Sequence, residues 1–203
     1  MDHGRYMRRV VEIARGNPDA PFGCVIVYGE TGEMVAVGLN DAQRNPVLHC
    51  ETAAIINLAE AHPDANWTRM TLYTTAEPCP MCAGAILWSG ISRLVFGTSL
   101  ETLKRLGRPQ IGISFREVAD RASFDGPEVV GGVLEGECDA LYEKLDRQAG
   151  RRFSSEAPPR SPPRAATRGL FRRRRRRGSG PARRVRCWSD ARRGRGYLCR
   201  WSP

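Results

Sequence analysis

Lysine is nearly absent from this chain: its 203 residues include 30 Arg but only Lys104 and Lys144. That bias suggests a GC-rich gene. No stretch approaches the roughly 20 apolar residues that a membrane-spanning helix needs, and residues 1–11 are charged, without the apolar core of a secretory signal. A cytoplasmic protein with no membrane partner is the expectation. A disulfide framework is missing too. Of seven cysteines, Cys79 and Cys82 are spaced as metal ligands, whereas Cys24 in an apolar strand and Cys138 in a helical pattern read as buried free thiols. Positive charge is lacking where the chain has periodicity. Residues 151–203 hold 18 Arg against Glu156 and Asp190, a local charge of +16, and the first 150 residues carry 14 basic and 20 acidic side chains, a charge of −6. The net +10 therefore belongs to the C-terminal segment, and the domain itself has no electrostatic footprint for a polyanion.

The organisation follows from hydrophobic period and turn signals. Residues 2–16 read as an amphipathic helix with Tyr6, Val10, Ile13 and Ala14 on one side. Residues 22–28 and 34–39 are β-rich runs around the hairpin signal Gly29-Glu30-Thr31-Gly32. Residues 51–61 suggest a well-buried helix, 70–76 a strand, 79–89 a helix and 93–98 a strand. A short helix at 100–106, a fifth strand at 129–134 and an amphipathic helix at 137–148 complete the pattern. A hairpin followed by strand and helix alternation implies a layered α/β domain over residues 1–150 with a mixed sheet. Residues 151–203, with Pro158-Pro159, Pro162-Pro163 and six arginines from Arg172 to Arg177, cannot bury enough apolar surface to fold. They are expected to be disordered. Three roles stand open for them: an RNA-binding arm, a nuclear-type basic signal, or a passive or out-of-frame extension.

Four residues carry the chemistry. His49, Cys79 and Cys82 make a three-ligand zinc site with an open fourth position, and Glu51 stands two residues from the histidine as a proton carrier. Residues three apart on a helix lie about 60° from each other and residues two apart about 200°, so Cys79 and Cys82 share one face of a first turn. His49 and Glu51 can meet in one pocket only at the very start of their helix, approached end-on. Both ligand groups then sit at helix N-termini, where the dipole favours thiolate. Zinc with an open position lowers the pKa of a bound water to about 7, and Glu51 is placed to move its proton in both directions. His3 and His62 are the only other histidines, and neither builds a Ser-His-Asp set. A structural zinc knuckle would want a fourth protein ligand, for which only Cys50 is near, and a redox cysteine pair would need neither His49 nor Glu51.

With Pro21-Phe22-Gly23, Gly38-Leu39-Asn40, His49-Cys50-Glu51, residues 74–85 and Val95-Phe96-Gly97, the chain resembles the zinc-dependent cytidine and deoxycytidylate deaminase superfamily across residues 2–148. The likeness is strongest to the branch holding guanine deaminases and tRNA adenosine deaminases. It implies a three-layer α/β/α sandwich with a five-stranded mixed sheet, a homodimer, and substrate contacts from Asn40 and the main chain at Cys50. The His-Ala-Glu usual in the family is His-Cys-Glu here. Leu87-Trp88-Ser89-Gly90 resembles the guanine-deaminase pattern, with Trp88 placed either to stack on a free base or to pack its helix against the sheet. The acidic residue with which guanine deaminases recognise the base has no counterpart in residues 103–114, and Asp125 or Glu128 would have to replace it. The expected activity is hydrolytic deamination of a small-molecule nucleobase or nucleoside, guanine to xanthine first. Adenosine in tRNA comes second, and cytosine or a nucleoside third. A different class also stands: an RNA-binding protein that uses the basic tail, the one route by which nucleic acid would bind.

Overall fold

In the computed structural model, residues 2–143 are described. The first helix, α1 (His3–Arg15), starts where the Asp2 side chain accepts from the Arg5 N–H, and it buries Tyr6, Met7, Val10, Val11 and Ala14. Strands β1 (Gly23–Tyr28) and β2 (Met34–Leu39) form the anticipated hairpin, paired Gly23 to Leu39 and Val25 to Val37. Strand β3 (Met70–Ala76) is buried along its whole length, antiparallel to β1 and parallel to β4 (Arg93–Thr98), which is itself parallel to β5 (Glu128–Val130). The sheet order is β2-β1-β3-β4-β5, a five-stranded mixed sheet.

Alternation along each strand divides the core in two. Val25, Val27, Tyr73 and Val95 face α1 and the last helix, α6 (Glu135–Glu143). Cys24, Ile26, Leu72 and Leu94 face the other way, against α2 (Cys50–Ala61), α3 (Pro80–Ser89) and α5 (Phe115–Ala119). The short α4 (Leu100–Arg105) adds Leu103 to the first cluster. The result is the three-layer α/β/α sandwich. Two glycines permit its tight packing: a Cβ at Gly38 would overlap the Cys50 carbonyl oxygen, and one at Gly97 would overlap the Cys138 thiol. Gly38 thus lets the first turn of α2 lie directly on β2.

Several expectations need correction. Helix α2 is buried on one side only, with Cys50, Glu51, Ala53, Ala54 and Leu58 inward and Ile56 45% exposed, because it covers the edge strand β2 and its neighbour β1, with α3 beside it. The fifth strand stops at Val130: Gly132 and Leu134 take positive φ values of 76° and 52°, which ends the extended run and starts α6 early at Glu135. Helix α5 and the 3₁₀ turn at Trp67–Arg69 went unanticipated. Residues 144–148, given to the last helix, and 151–203, given to a disordered tail, lie outside the described residues. Among those described, no helix is long and apolar enough to cross a membrane.

Candidate metal centre

Parallel strands β3 and β4 end at one edge of the sheet, and the antiparallel hairpin brings the start of β1 and the end of β2 to the same edge: Cys24 pairs with Thr74, and Gly23 with Leu39. The reactive residues gather there. His49 is the N-cap of α2, and Cys79 is the N-cap of α3 with Pro80 at the first helical position. Neither makes a side-chain cap bond, although a capping side chain ordinarily accepts from the next turn and adds about 1 kcal/mol. Their side chains turn to each other instead. The loop before α2 is anchored by the Thr52 hydroxyl, which donates to the carbonyls of Val47 and His49 at 2.8 and 2.9 Å.

His49, Cys79 and Cys82 present ligand atoms that all lie within 4.8 Å of one another. The Cys79 and Cys82 sulfurs are 3.7 Å apart, and the Cys79 sulfur is 3.5 Å from His49 Nδ1. A tetrahedral zinc with bonds of about 2.3 Å to sulfur and 2.0–2.1 Å to nitrogen would set these edges at about 3.8 and 3.5 Å. The donor set therefore fits zinc in kind and in spacing. The hydrogen bond with Cys82, then that with His49, holds Cys79 down at about 4 against the opposing effect of burial. Cys82 is correspondingly pushed up by Cys79 and by burial. His49 is raised by its hydrogen bond to Cys79, although burial opposes this.

Glu51, in the first turn of α2, is 5% exposed beside this trio. Its Oε1 accepts from the Thr74 hydroxyl at 2.6 Å, and it contributes to the raised pKa of both Cys82 and Cys50. Cys50 is buried, and desolvation first, then Glu51, keeps its thiol protonated. Asn40 follows the last residue of β2 at the same edge, half-buried, with its Oδ1 fixed by the Ala42 N–H at 2.9 Å. It borders a cleft of about 680 Å³ lined also by Leu48, Ala53 and Ile56.

Trp88 is not brought to this centre. Helix α3 runs back across the sheet, which puts Trp88 about 13 Å along the axis from Cys79. There it is 81% exposed and tilted against Phe124, with ring centroids 5.1 Å apart. Neither stacking on a base in the pocket nor packing against the sheet describes it. Glu128 is also at the far edge, opposite Arg93 at the start of β4 and bonded to it at 2.7 and 2.9 Å. Asp125, three residues earlier, lines a different cleft with Arg116, Asp120 and Phe124.

Two residues that sequence reasoning quoted without a role prove structural to the site. Thr74 holds Glu51, and Glu77 accepts from the backbone N–H groups of Leu100 and Phe115, both at 2.9 Å, tying the ligand loop to the starts of α4 and α5. The only signal was position: both lie within five residues of Cys79 on the run from β3 to α3.

The fold and the centre define a class, a three-ligand zinc site with a buried carboxylate on an α/β/α sandwich. Residues 1–98 match the family model of the cytidine and deoxycytidylate deaminase zinc-binding region. The chain is 36% identical over 140 residues to a probable cytosine deaminase of Schizosaccharomyces pombe, covering 65% of this chain and 85% of that protein. It is 36% identical over 136 residues to a tRNA-specific adenosine deaminase of Haemophilus influenzae, covering 66% and 75%. The guanine deaminase of Nitrosomonas europaea shares the fold, with a TM-score of 0.61 over 71% of this chain and 84% of that one, at 24% identity. The chain belongs to the cytidine and deoxycytidylate deaminase family, zinc-dependent hydrolases that act on C–N bonds.

Proposed function

We propose that this chain hydrolytically deaminates a free nucleobase, guanine to xanthine first. The observation that carries the reading is Glu51, a buried carboxylate at the mouth of a helix, held beside the metal ligands. Zinc in this site supplies a Lewis acid and acidifies water to near neutrality. Glu51 takes a proton from the attacking water and delivers it to the ring nitrogen next to the amine-bearing carbon, then takes the remaining hydroxyl proton of the adduct and gives it to the amine, which leaves as ammonia as the carbonyl forms. Asn40, its Oδ1 already engaged, offers its amide N–H groups to the base, and the main chain at Cys50 is a second contact. A charge of −6 over residues 1–150 favours a small neutral substrate over a polyanion, and the likeness to a guanine deaminase supports a purine.

Adenosine in tRNA is the second reading, favoured by the 36% identity to a tRNA-specific adenosine deaminase and by the Arg-rich segment 151–203. Cytosine is the third, on the strength of the probable cytosine deaminase. A cytoplasmic homodimer belongs to the same reading, and sedimentation of the zinc-loaded protein at twice the chain mass of 22.6 kDa is its test. Function itself is tested by ammonia release from guanine, guanosine, adenosine, cytosine, cytidine and tRNA, with Glu51→Gln as control. Release from guanine that falls at least a hundredfold in the variant supports the proposal. Turnover of tRNA alone moves the substrate to the second reading, and undiminished activity in Glu51→Gln overturns the mechanism.

A further inference from the structure

Thr74 sits on the central strand, fully buried, between Cys24 of β1 and Phe96 of β4. A hydroxyl there has to find a partner, since an unsatisfied one costs about 1–3 kcal/mol. It finds Glu51: Thr74 Oγ1 donates to Oε1 at 2.6 Å, the short distance of a charge-assisted bond. The Cys50 sulfur lies 3.7 Å from the same hydroxyl oxygen. Thr74 has one proton, already given to Glu51, so the Cys50 thiol is the donor in that contact. The three groups form a chain from thiol to hydroxyl to carboxylate, with no solvent to compete for it.

The mechanical properties of the two partners differ. Glu51 has three side-chain torsions and would pay up to about 2 kcal/mol to be held in one rotamer, whereas a β-branched threonine on a strand paired on both sides is already rigid. The strand therefore fixes the carboxylate, not the reverse. Oε1 carries the Thr74 bond, and Oε2 is the oxygen that the strand hydroxyl leaves for proton exchange.

We propose that Thr74 is a positioning residue for the deamination: its hydroxyl, backed by the Cys50 thiol, pins Oε1 of Glu51 and reserves the other oxygen for proton transfer. The proposal rests on the proton-carrying role given to Glu51 above. The test uses the zinc-loaded full chain, with guanine or whichever base of the panel is turned over. Thr74→Val, which keeps shape and loses the donor, is expected to lower kcat about 10- to 100-fold, with KM changed less than threefold and one zinc retained per chain. Thr74→Ser should recover kcat to within fivefold of the parent. In Glu51→Gln, adding Thr74→Val should produce no further loss. Independently of turnover, the ¹³C resonance of the Glu51 carboxyl, assigned by its absence in Glu51→Gln, should shift in Thr74→Val and hold in Thr74→Ser. Kcat within twofold of the parent in Thr74→Val, an equal loss in Thr74→Ser, or a loss that tracks zinc content would each overturn the proposal. Should Thr74→Val fail to fold, Cys50→Ala decides: a severalfold fall in kcat is expected, and no change sinks the relay. Activity surviving Glu51→Gln would instead refute the underlying mechanism.

Discussion

The two edges of the sheet carry similar side chains in different surroundings. At the edge where β3 ends, the Glu51 carboxylate is 5% exposed at the start of a helix, bonded to a strand hydroxyl and flanked by thiols. At the edge where β4 and β5 begin, the Glu128 side chain is 60% exposed and paired with Arg93 in an ordinary surface ion pair. Burial separates the aromatic residues too: Tyr73 is buried in the sheet, and Trp88 stands 81% exposed against Phe124. Residue type is thus a poor guide to reactivity in this molecule. Helix starts, strand ends and burial concentrate chemistry at one edge and leave the other to solvent.

The largest expected effect comes from dismantling one edge and sparing the other. Cys82→Ala should cut bound zinc from one per chain to below a tenth by elemental analysis and abolish turnover. Glu128→Gln, which breaks the surface pair, should leave activity unchanged and cost at most about 0.5 kcal/mol in urea unfolding. Zinc retained in Cys82→Ala would mean that another residue ligates.

Next in size is the contact that seats α2 on β2. Gly38→Ala drives a Cβ into the Cys50 carbonyl and displaces the turn bearing His49, Cys50 and Glu51. A loss of about 2–3 kcal/mol is expected from overpacking, read as a lower melting temperature, together with weaker zinc retention. A variant as stable and as well metallated as the parent would show that the helix start can shift without consequence.

Trp88→Ala sharpens the comparison from the other edge. Because the indole is so exposed, the change should cost under about 1 kcal/mol and leave kcat/KM within threefold. A tenfold loss of kcat/KM would bring the far edge into the catalytic site.

Thiol chemistry gives the smallest contrast. Burial pushes the Cys138 thiol up to about 12, and desolvation with Glu51 raises Cys24 and Cys50 well above the ordinary range, so at pH 8 all three are protonated in the folded state. In a short alkylation of the native zinc protein resolved by mass spectrometry, these three should remain unmodified, and all should react once the chain is unfolded. Rapid native labelling of Cys50 would contradict the buried relay to Thr74.

Much of this was legible in the residues because local rules wrote it. Runs of β-prone residues and the hairpin signal at Gly29-Glu30-Thr31-Gly32 set β1 to β4, and the three-residue spacing of Cys79 and Cys82, with Glu51 two residues from His49, required helix starts, which is where α2 and α3 begin. The shorter signals failed. Helix α5 has five residues and an internal capping box at Ser114 and Glu117, too little for a periodic pattern, and β5 lost its second half to positive φ at Gly132 and Leu134. Trp88 was misread because proximity in sequence to Cys82 does not survive a helix that crosses the sheet.

The sequence by itself determined the candidate metal ligands, the carboxylate beside them, the layered α/β fold and the confinement of net positive charge to residues 151–203, since each follows from spacing, period or composition over a few neighbouring residues. Only the tertiary structure decided which carboxylate is buried, that Thr74 holds it, and that Trp88, Asp125 and Glu128 stand away from the centre. Those facts depend on which ends of strands and helices meet, and strand pairing joins residues too far apart in the chain for any local pattern to record.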